Sequence, residues 1–361
     1  MRFFRFGFSA AVMVLAGCAS PGGPSTSPLV LPLSLSKGAV PACAGSRIGQ
    51  AQCDAFVEPG GAHATYAGWT ASDLETAYDL PSSTKGKGQI VAVVDSYDNP
   101  DAATDLAQYR SAMGLPAGTL DKYNQDGQMS NYPTGSPNWG VEIDLDVEMA
   151  SASCPNCTIY LVEANSNKWS DIETAEAQAV KLGATIVSNS YDGSGASESY
   201  YDTPGITYVA SDAGYGLYDP ATFDSVVAVG GTMLEVSGNR RGYKETVWPD
   251  TGGGCSSTDE TAPPWQHHTA CSPYRIGNDV CAVAVGAAEY DTYDEGGWIT
   301  IDGTSIGSPF IAGIFALAGN STHQDGGRTF WNPAHHKYLH KLGGGFTDGG
   351  GWGSPHGIRA F

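Results

Sequence analysis

The 361 residues are 41% hydrophobic, enough to bury a large core in one catalytic-size domain with length to spare for a tail or pro-segment. Acidic residues outnumber basic ones 38 to 18, so no basic patch survives to hold a nucleic acid, and the excess of negative charge favours solubility outside the cell.

At the N-terminus, Arg2 and Arg5 precede an apolar stretch from Phe8 to Leu15 that is too short to span a bilayer. This is the pattern of a removable signal peptide over residues 1–18. It closes on Leu15-Ala16-Gly17-Cys18, which resembles a bacterial lipobox and makes Cys18 the expected lipidation site. The expected location is therefore the cell envelope, as a lipoprotein anchored in the membrane, or the exterior, if the leader is an ordinary signal peptide cleaved near the small residues. Residues 19–76 are rich in Pro, Ser, Gly and Ala and read as a tether and a loosely structured lead-in, with the compact domain expected over 77–361.

Seven of the eight cysteines follow Cys18, an odd number in a compartment where pairing is expected. Cys43 with Cys53, Cys154 with Cys157, and Cys255 with Cys271 are the sequence-local candidate disulfides. Cys281, inside the apolar run Val280 to Val285, is the expected free and buried thiol. Zinc is the rival reading of Cys154-Pro-Asn-Cys157, but neither a second such pair nor a nearby histidine pair supports it.

Along the chain, strand-like apolar runs at Gln89–Asp95, Thr158–Glu163, Ala184–Ser190, Ile206–Asp212 and Ser225–Gly231 alternate with helical spacing at Ala102–Met113, Trp139–Ala152 and Asp171–Leu182. The strands are nearly continuous in apolar residues, so the sheet is expected to be mostly parallel with helices on both faces, a doubly wound α/β fold. A last helix is expected from Ser305 to Ala318, apolar nearly all round and hence buried, with Pro309 tolerated in its first turn.

Asp302-Gly303-Thr304-Ser305 seats a serine at the positive end of that helix, behind a glycine that lets backbone pass close by. An ordinary N-cap serine looks the same, so the seat alone does not make a nucleophile. A base is needed. The histidines at 63, 267, 268, 323, 335, 336, 340 and 356 all fall in polar or glycine-rich stretches or near the termini, and none opens a helix after the first strand. Asp95 closes that strand, where without a histidine partner it reads as structural or supporting. Carboxylates offer the alternative. Glu142 and Asp146 are four apart on one predicted helix, within about 6 Å of each other, and such a pair can share a proton. Asp144 and Glu148 form a second pair on the opposite side of the same helix, and periodicity does not choose between them; one of the two reads as a solvated face.

At this point the residues resemble the sedolisin family, the serine-carboxyl peptidases with a subtilisin-like fold. Glu142-Ile-Asp-Leu-Asp146 is similar to the family's Glu-x-x-Leu-Asp motif, Tyr208-Val-Ala-Ser-Asp212-Ala-Gly to its oxyanion loop, and Gly303-Thr-Ser305-Ile-Gly-Ser-Pro309 to its nucleophile motif. Val226 to Thr232, Glu245 to Trp248, Gly252-Gly253-Gly254-Cys-Ser256 and Pro264 to Gln266 fit between them in order. The resemblance implies a subtilisin-like peptidase domain over 77–361 in which Ser305 attacks the peptide carbonyl, Glu142 is the base, Asp146 orients it, and Asp212 donates to the oxyanion at acidic pH. It also implies substrate contacts from Ser188-Asn189-Ser190-Tyr191, as an edge strand pairing with polypeptide backbone, and from Gly252, Gly253 and Gly254. The family's calcium site loses an early aspartate here, where Tyr338-Leu-His-Lys runs almost directly into Gly343–Asp348. No metal or other cofactor is therefore expected. The partners expected are polypeptide substrates, taken by a monomer. A degenerate member that binds peptides without turnover is the alternative, and the experiment that separates the two is a serine-directed reagent on wild type and Ser305→Ala.

Overall fold

The computed structural model describes residues 38–43, 49–212, 216–258, 260–266, 269–323 and 325–361. The leader with Cys18, and the tether as far as residue 37, lie outside the described residues. The described chain opens with three short strands, β1 (Val40–Pro41), β2 (Gln52–Cys53) and β3 (Ala55–Val57), and helix α1 (Ala71–Tyr78). Thr70 caps α1: its hydroxyl accepts from the Asp73 amide at 3.2 Å, and the Asp73 carboxylate accepts from the Thr70 amide at 3.0 Å.

The predicted alternation follows, as β4 (Ile90–Ser96), α2 (Ala102–Ala112), β5 (Leu120–Asn124), α3 (Pro137–Ser153), β6 (Thr158–Ala164), α4 (Trp169–Lys181) and β7 (Ile186–Asn189). Then come β8 (Tyr191–Asp192), β9 (Thr207–Ser211), β10 (Val226–Val236), β11 (Tyr243–Val247), β12 (Gly254–Cys255), β13 (Ile276–Gly277), β14 (Val280–Val283), β15 (Val285–Asp291), β16 (Gly297–Gly303) and α5 (Gly307–Ala318). An eight-stranded sheet in the order β11-β10-β9-β7-β4-β6-β5, with β14 also on β10, is parallel throughout except at the β10–β11 edge. The fold is the expected doubly wound α/β sheet. A second, antiparallel sheet in the order β1-β3-β16-β15 lies beside it.

The apolar all-round pattern of α5 is satisfied by burial from Gly307 to Leu317. It packs on α3 at Gly313, where a β-carbon would sit 1.9 Å from Ser153 Oγ, so only glycine permits this approach. A single 3₁₀ turn, Thr304–Ile306, stands between β16 and α5, so the serine precedes the helix instead of starting it.

Three expectations are corrected here. The lead-in is not loose where it is described: Ala51, Cys53, Ala55, Ala71 and Leu74 belong to the core, because β3 completes a sheet and the inner face of α1 is apolar. Helix α3 has no solvated face. Trp139 to Ser153 are all buried, since α2 and β15 cover one side while α5 and β4 cover the other, and Asp144 and Glu148 are as inaccessible as Glu142 and Asp146. Nor are Ser188 and Asn189 on a sheet edge: β7 lies between β4 and β9. The three candidate disulfides are all formed, which removes the zinc reading of Cys154 and Cys157, and Cys281 is free and buried in β14.

Candidate active site

Three elements carry the predicted groups, one strand from each of the two sheets and helix α3. Strand β16 delivers Ser305 through the 3₁₀ turn, α3 delivers Glu142 and Asp146, and the end of β9 delivers Asp212. The nucleophile turn is pinned from several directions. The Thr304 hydroxyl donates to the Asp212 carbonyl at 3.0 Å, and Ser308 bonds the Val209 carbonyl at 3.2 Å and the Ser188 hydroxyl at 3.0 Å. Ser188 therefore holds the start of α5. The Ser305 hydroxyl donates to the Ser190 carbonyl at 3.4 Å, a long bond that leaves it nearly free to turn, and it stands beside the Glu142 carboxyl.

All four groups are fully buried. Burial pushes the Glu142 carboxyl well above the usual range; Asp146 and Asp95 push it further by like charge, and the Ser305 hydroxyl opposes them. Asp146 is also raised by burial, with its neighbours Ser190 and Glu142 pulling the other way and Asp54 adding to the rise. Both carboxyls are thus held well above their ordinary range, each by burial first. Asp212 is pushed well up by burial, with the neighbouring Asn278 side chain and Arg275 pulling the other way and Asp54 adding to the rise. A carboxyl so raised stays protonated in acid and is a donor there. Asp95, at the end of β4, lies beside Asp146 and is raised by burial and by that neighbour.

Asp54 was not singled out by sequence reasoning. It lies between β2 and β3, accepts from Ser211 Oγ at 2.6 Å, and burial pushes it up to about 7. Its charge is felt by Glu142, Asp146, Asp192 and Asp212. The signal that would have found it is the small disulfide loop Cys43–Cys53, whose closing cysteine it follows. Tyr191 and Asp192 form the one stretch of the predicted substrate strand that pairs outward, and their partners are Cys53 and Gln52. Gly252, Gly253 and Gly254 line a shallow cavity with Trp248 and Asp348, and the Asn278 side-chain amide donates to the Gly252 carbonyl at 3.4 Å.

The loop that a calcium ion would use offers one carboxylate, Asp348. The Asp348 carbonyl accepts from the Asn278 amide at 2.9 Å and the Gly349 carbonyl from its side chain at 3.3 Å. No chemistry below is routed through a metal.

A profile described as the subtilase family matches residues 146–341. The chain is 28% identical over 351 residues to kumamolisin of Bacillus sp. (strain MN-32), covering 81% of this chain and 62% of that protein. It is 25% identical over 296 residues to sedolisin of Pseudomonas sp. (strain 101), covering 70% and 50%. The chain thus spans between half and two thirds of the length of these curated relatives. Among solved structures it resembles Pseudomonas sedolisin complexed with two molecules of pseudo-iodotyrostatin, with a TM-score of 0.68, 23% identity, and coverage of 81% of this chain and 96% of that one. Fervidolysin from Fervidobacterium pennivorans, described as related to subtilisin, matches with a TM-score of 0.55 at 14% identity, over 79% of this chain and 44% of that one.

Proposed function

The chain belongs to the subtilase family and is homologous to sedolisin and kumamolisin, and from that membership we propose that it is a serine-carboxyl endopeptidase acting on unfolded polypeptides in acid. What supports this reading is that Ser305, Glu142, Asp146 and Asp212 are all fully buried, with Ser305 beside the Glu142 carboxyl and the Asp212 carbonyl accepting from Thr304. Ser305 Oγ adds to the scissile carbonyl as Glu142 takes its proton; Asp146 holds the Glu142 carboxyl in place; Asp212, protonated, donates to the oxyanion with the Ser305 amide; and Glu142 returns the proton to the leaving nitrogen. Water then hydrolyses the acyl-enzyme by the same base.

The test is covalent labelling by an aldehyde or fluorophosphonate reagent at about pH 4, with a casein zymogram at the same pH. Label on Ser305, and loss of both signals in Ser305→Ala, are expected; label on another serine, or equal activity in the variant, ends the assignment. The alternative, a protein that binds peptides without turning them over, is favoured by one observation, the complete burial of Ser305. It predicts no label once the cleft has been opened.

We read the protein as exported. Three disulfides among the described residues suit an oxidising compartment, and no helix among those residues is long and apolar enough to cross a membrane. Anchoring through Cys18 is a separate proposal, tested by the mass of the mature protein: acyl groups on a chain starting at Cys18 support it, and a start elsewhere without lipid ends it.

A further inference from the structure

On the face of α3 turned away from Glu142 and Asp146, three aspartates meet. Oxygens of Asp105, Asp144 and Asp291 lie within 4.8 Å of one another, and all three residues are fully buried. They come from α2, α3 and β15, so the fold and not a local run of sequence brings them together. In two of them one oxygen is held and the other is bare. The Asn99 side-chain amide donates to Asp144 Oδ2 at 2.7 Å and the Asp294 amide to Asp291 Oδ1 at 3.0 Å, while Asp144 Oδ1 and Asp291 Oδ2 have no hydrogen-bond partner among the described residues. Asp105 is fixed by Thr292, whose amide and hydroxyl donate to it at 2.9 and 2.7 Å.

Glu289 stands behind this triad. It lies two residues before Asp291, hence on the same face of β15, and is fully buried with neither carboxylate oxygen hydrogen-bonded among the described residues. Its carboxyl sits among the charges of Glu148, Asp291 and Asp144. The Tyr109 hydroxyl, beside Glu148 and Glu289, is without a partner there too. None of the ion pairs among the described residues reaches any of these acids. Buried carboxyls with bare oxygens and no basic side chain carry a desolvation and repulsion cost that only protons or a metal ion can offset.

We propose that Asp105, Asp144 and Asp291 form a binding site for a hard divalent cation, calcium above all, that pins α2 and α3 to β15. Two oxygens bound to one calcium ion lie up to about 5 Å apart, the spacing this triad has. A donor set made only of carboxylates suits calcium better than zinc, which takes sulfur and imidazole. The bonds from Asn99, Thr292 and Asp294 are the outer contacts that aim such ligands. The way in is short, because Thr292 and Asp294, on the turn after β15, are exposed. The site is apart from the glycine-rich loop at Asp348, and its ion is structural, taking no part in peptide cleavage. Where no such ion is supplied, only protons relieve the repulsion.

Ser305→Ala, used to prevent self-digestion, is stripped with a chelator and dialysed against calcium near neutral pH, with bound metal counted by elemental analysis and melting followed by circular dichroism. One ion per chain is expected, with Tm raised by roughly 4 °C at saturation. Asp144→Asn and Asp291→Asn are each expected to weaken binding at least about tenfold and to lose the rise, while Asp348→Asn keeps both. Without calcium the first two are expected to melt no lower than the parent, because each removes a charge from the cluster, which separates a lost ligand from a damaged fold. Should Asp144→Asn not fold, Asp291→Asn decides. No ion bound at about 10 mM calcium, or binding that survives in the folded variants, overturns the inference, as does binding lost only in Asp348→Asn. The peptidase reading is judged separately, by casein digestion and by label on Ser305 in the wild type.

Discussion

Helix α3 carries two acidic pairs of the same spacing, Glu142 with Asp146 and Asp144 with Glu148, and buries both completely. Burial pushes all four carboxyls well above their ordinary range. What differs is what stands opposite. The first pair has acids near it too, Asp95 and Asp54, but also hydroxyls, Ser305 and Ser190, with the Asp212 carbonyl accepting from the adjacent Thr304. The second faces further acids, Asp105, Asp291 and Glu289, with Asn99 donating to Asp144 at 2.7 Å and the Tyr290 amide to Glu148 at 3.1 Å. A raised pKa alone therefore marks both faces of the helix; a serine hydroxyl beside the carboxyl marks only one.

The largest effect expected from this contrast is on turnover. Glu142→Gln should lower kcat/KM by roughly three orders of magnitude or more with folding intact, while Glu148→Gln leaves it within about threefold, measured on a peptide at acidic pH. The reverse pattern would place the chemistry on the wrong side of α3. Next comes Asp212→Asn, which keeps a donor at every pH. Activity in the wild type is expected to peak at about pH 3 to 5 and fall toward neutrality as Asp212 ionises, and the alkaline limb of the variant should move upward.

Stability gives a third and smaller effect, common to both faces. Asp54 at about 7 and Asp291 at about 6 bind protons more tightly folded than unfolded, so their contribution is complete below about pH 4 and is lost as pH rises through 6 and 7. An unfolding free energy that falls from acid to neutral pH, by on the order of a few kcal/mol, is expected in Ser305→Ala, used to prevent self-digestion; one that climbs over that range contradicts the assignment. The smallest effect belongs to Glu148→Gln. By removing one charge from an all-acid cluster, it should raise the melting point by a few degrees near pH 8 and change little near pH 4.

The alternation of strands and helices was legible because parallel strands buried on both faces are apolar throughout and the helices between them keep their period. The seat of Ser305 was legible for a local reason, a glycine and a serine ahead of an all-apolar helix. The burial of Asp144 and Glu148 was not, since a helix enclosed on both sides needs acids on its second face only if other acids meet them, and Asp105 and Asp291 come from segments far away in sequence. Ser188 and Asn189 read as an edge only through the family resemblance; in the fold Ser188 holds the start of α5 through its bond to Ser308. Asp54 escaped notice because its segment has no period of its own and takes its strand form from β8 and β16.

The pairing of β3 with β16 joins residues at opposite ends of the chain, Val57 with Ile301. Contacts of that separation carry the largest loop-closure cost, and folds rich in them form slowly. Strand β3 is therefore made early and seated late, because its partner strand is among the last parts of the chain to be synthesised. Strand β16, which ends two residues before Ser305, is the strand on which β3 docks, so the seat of the serine and the closing of that sheet are formed by the same late element.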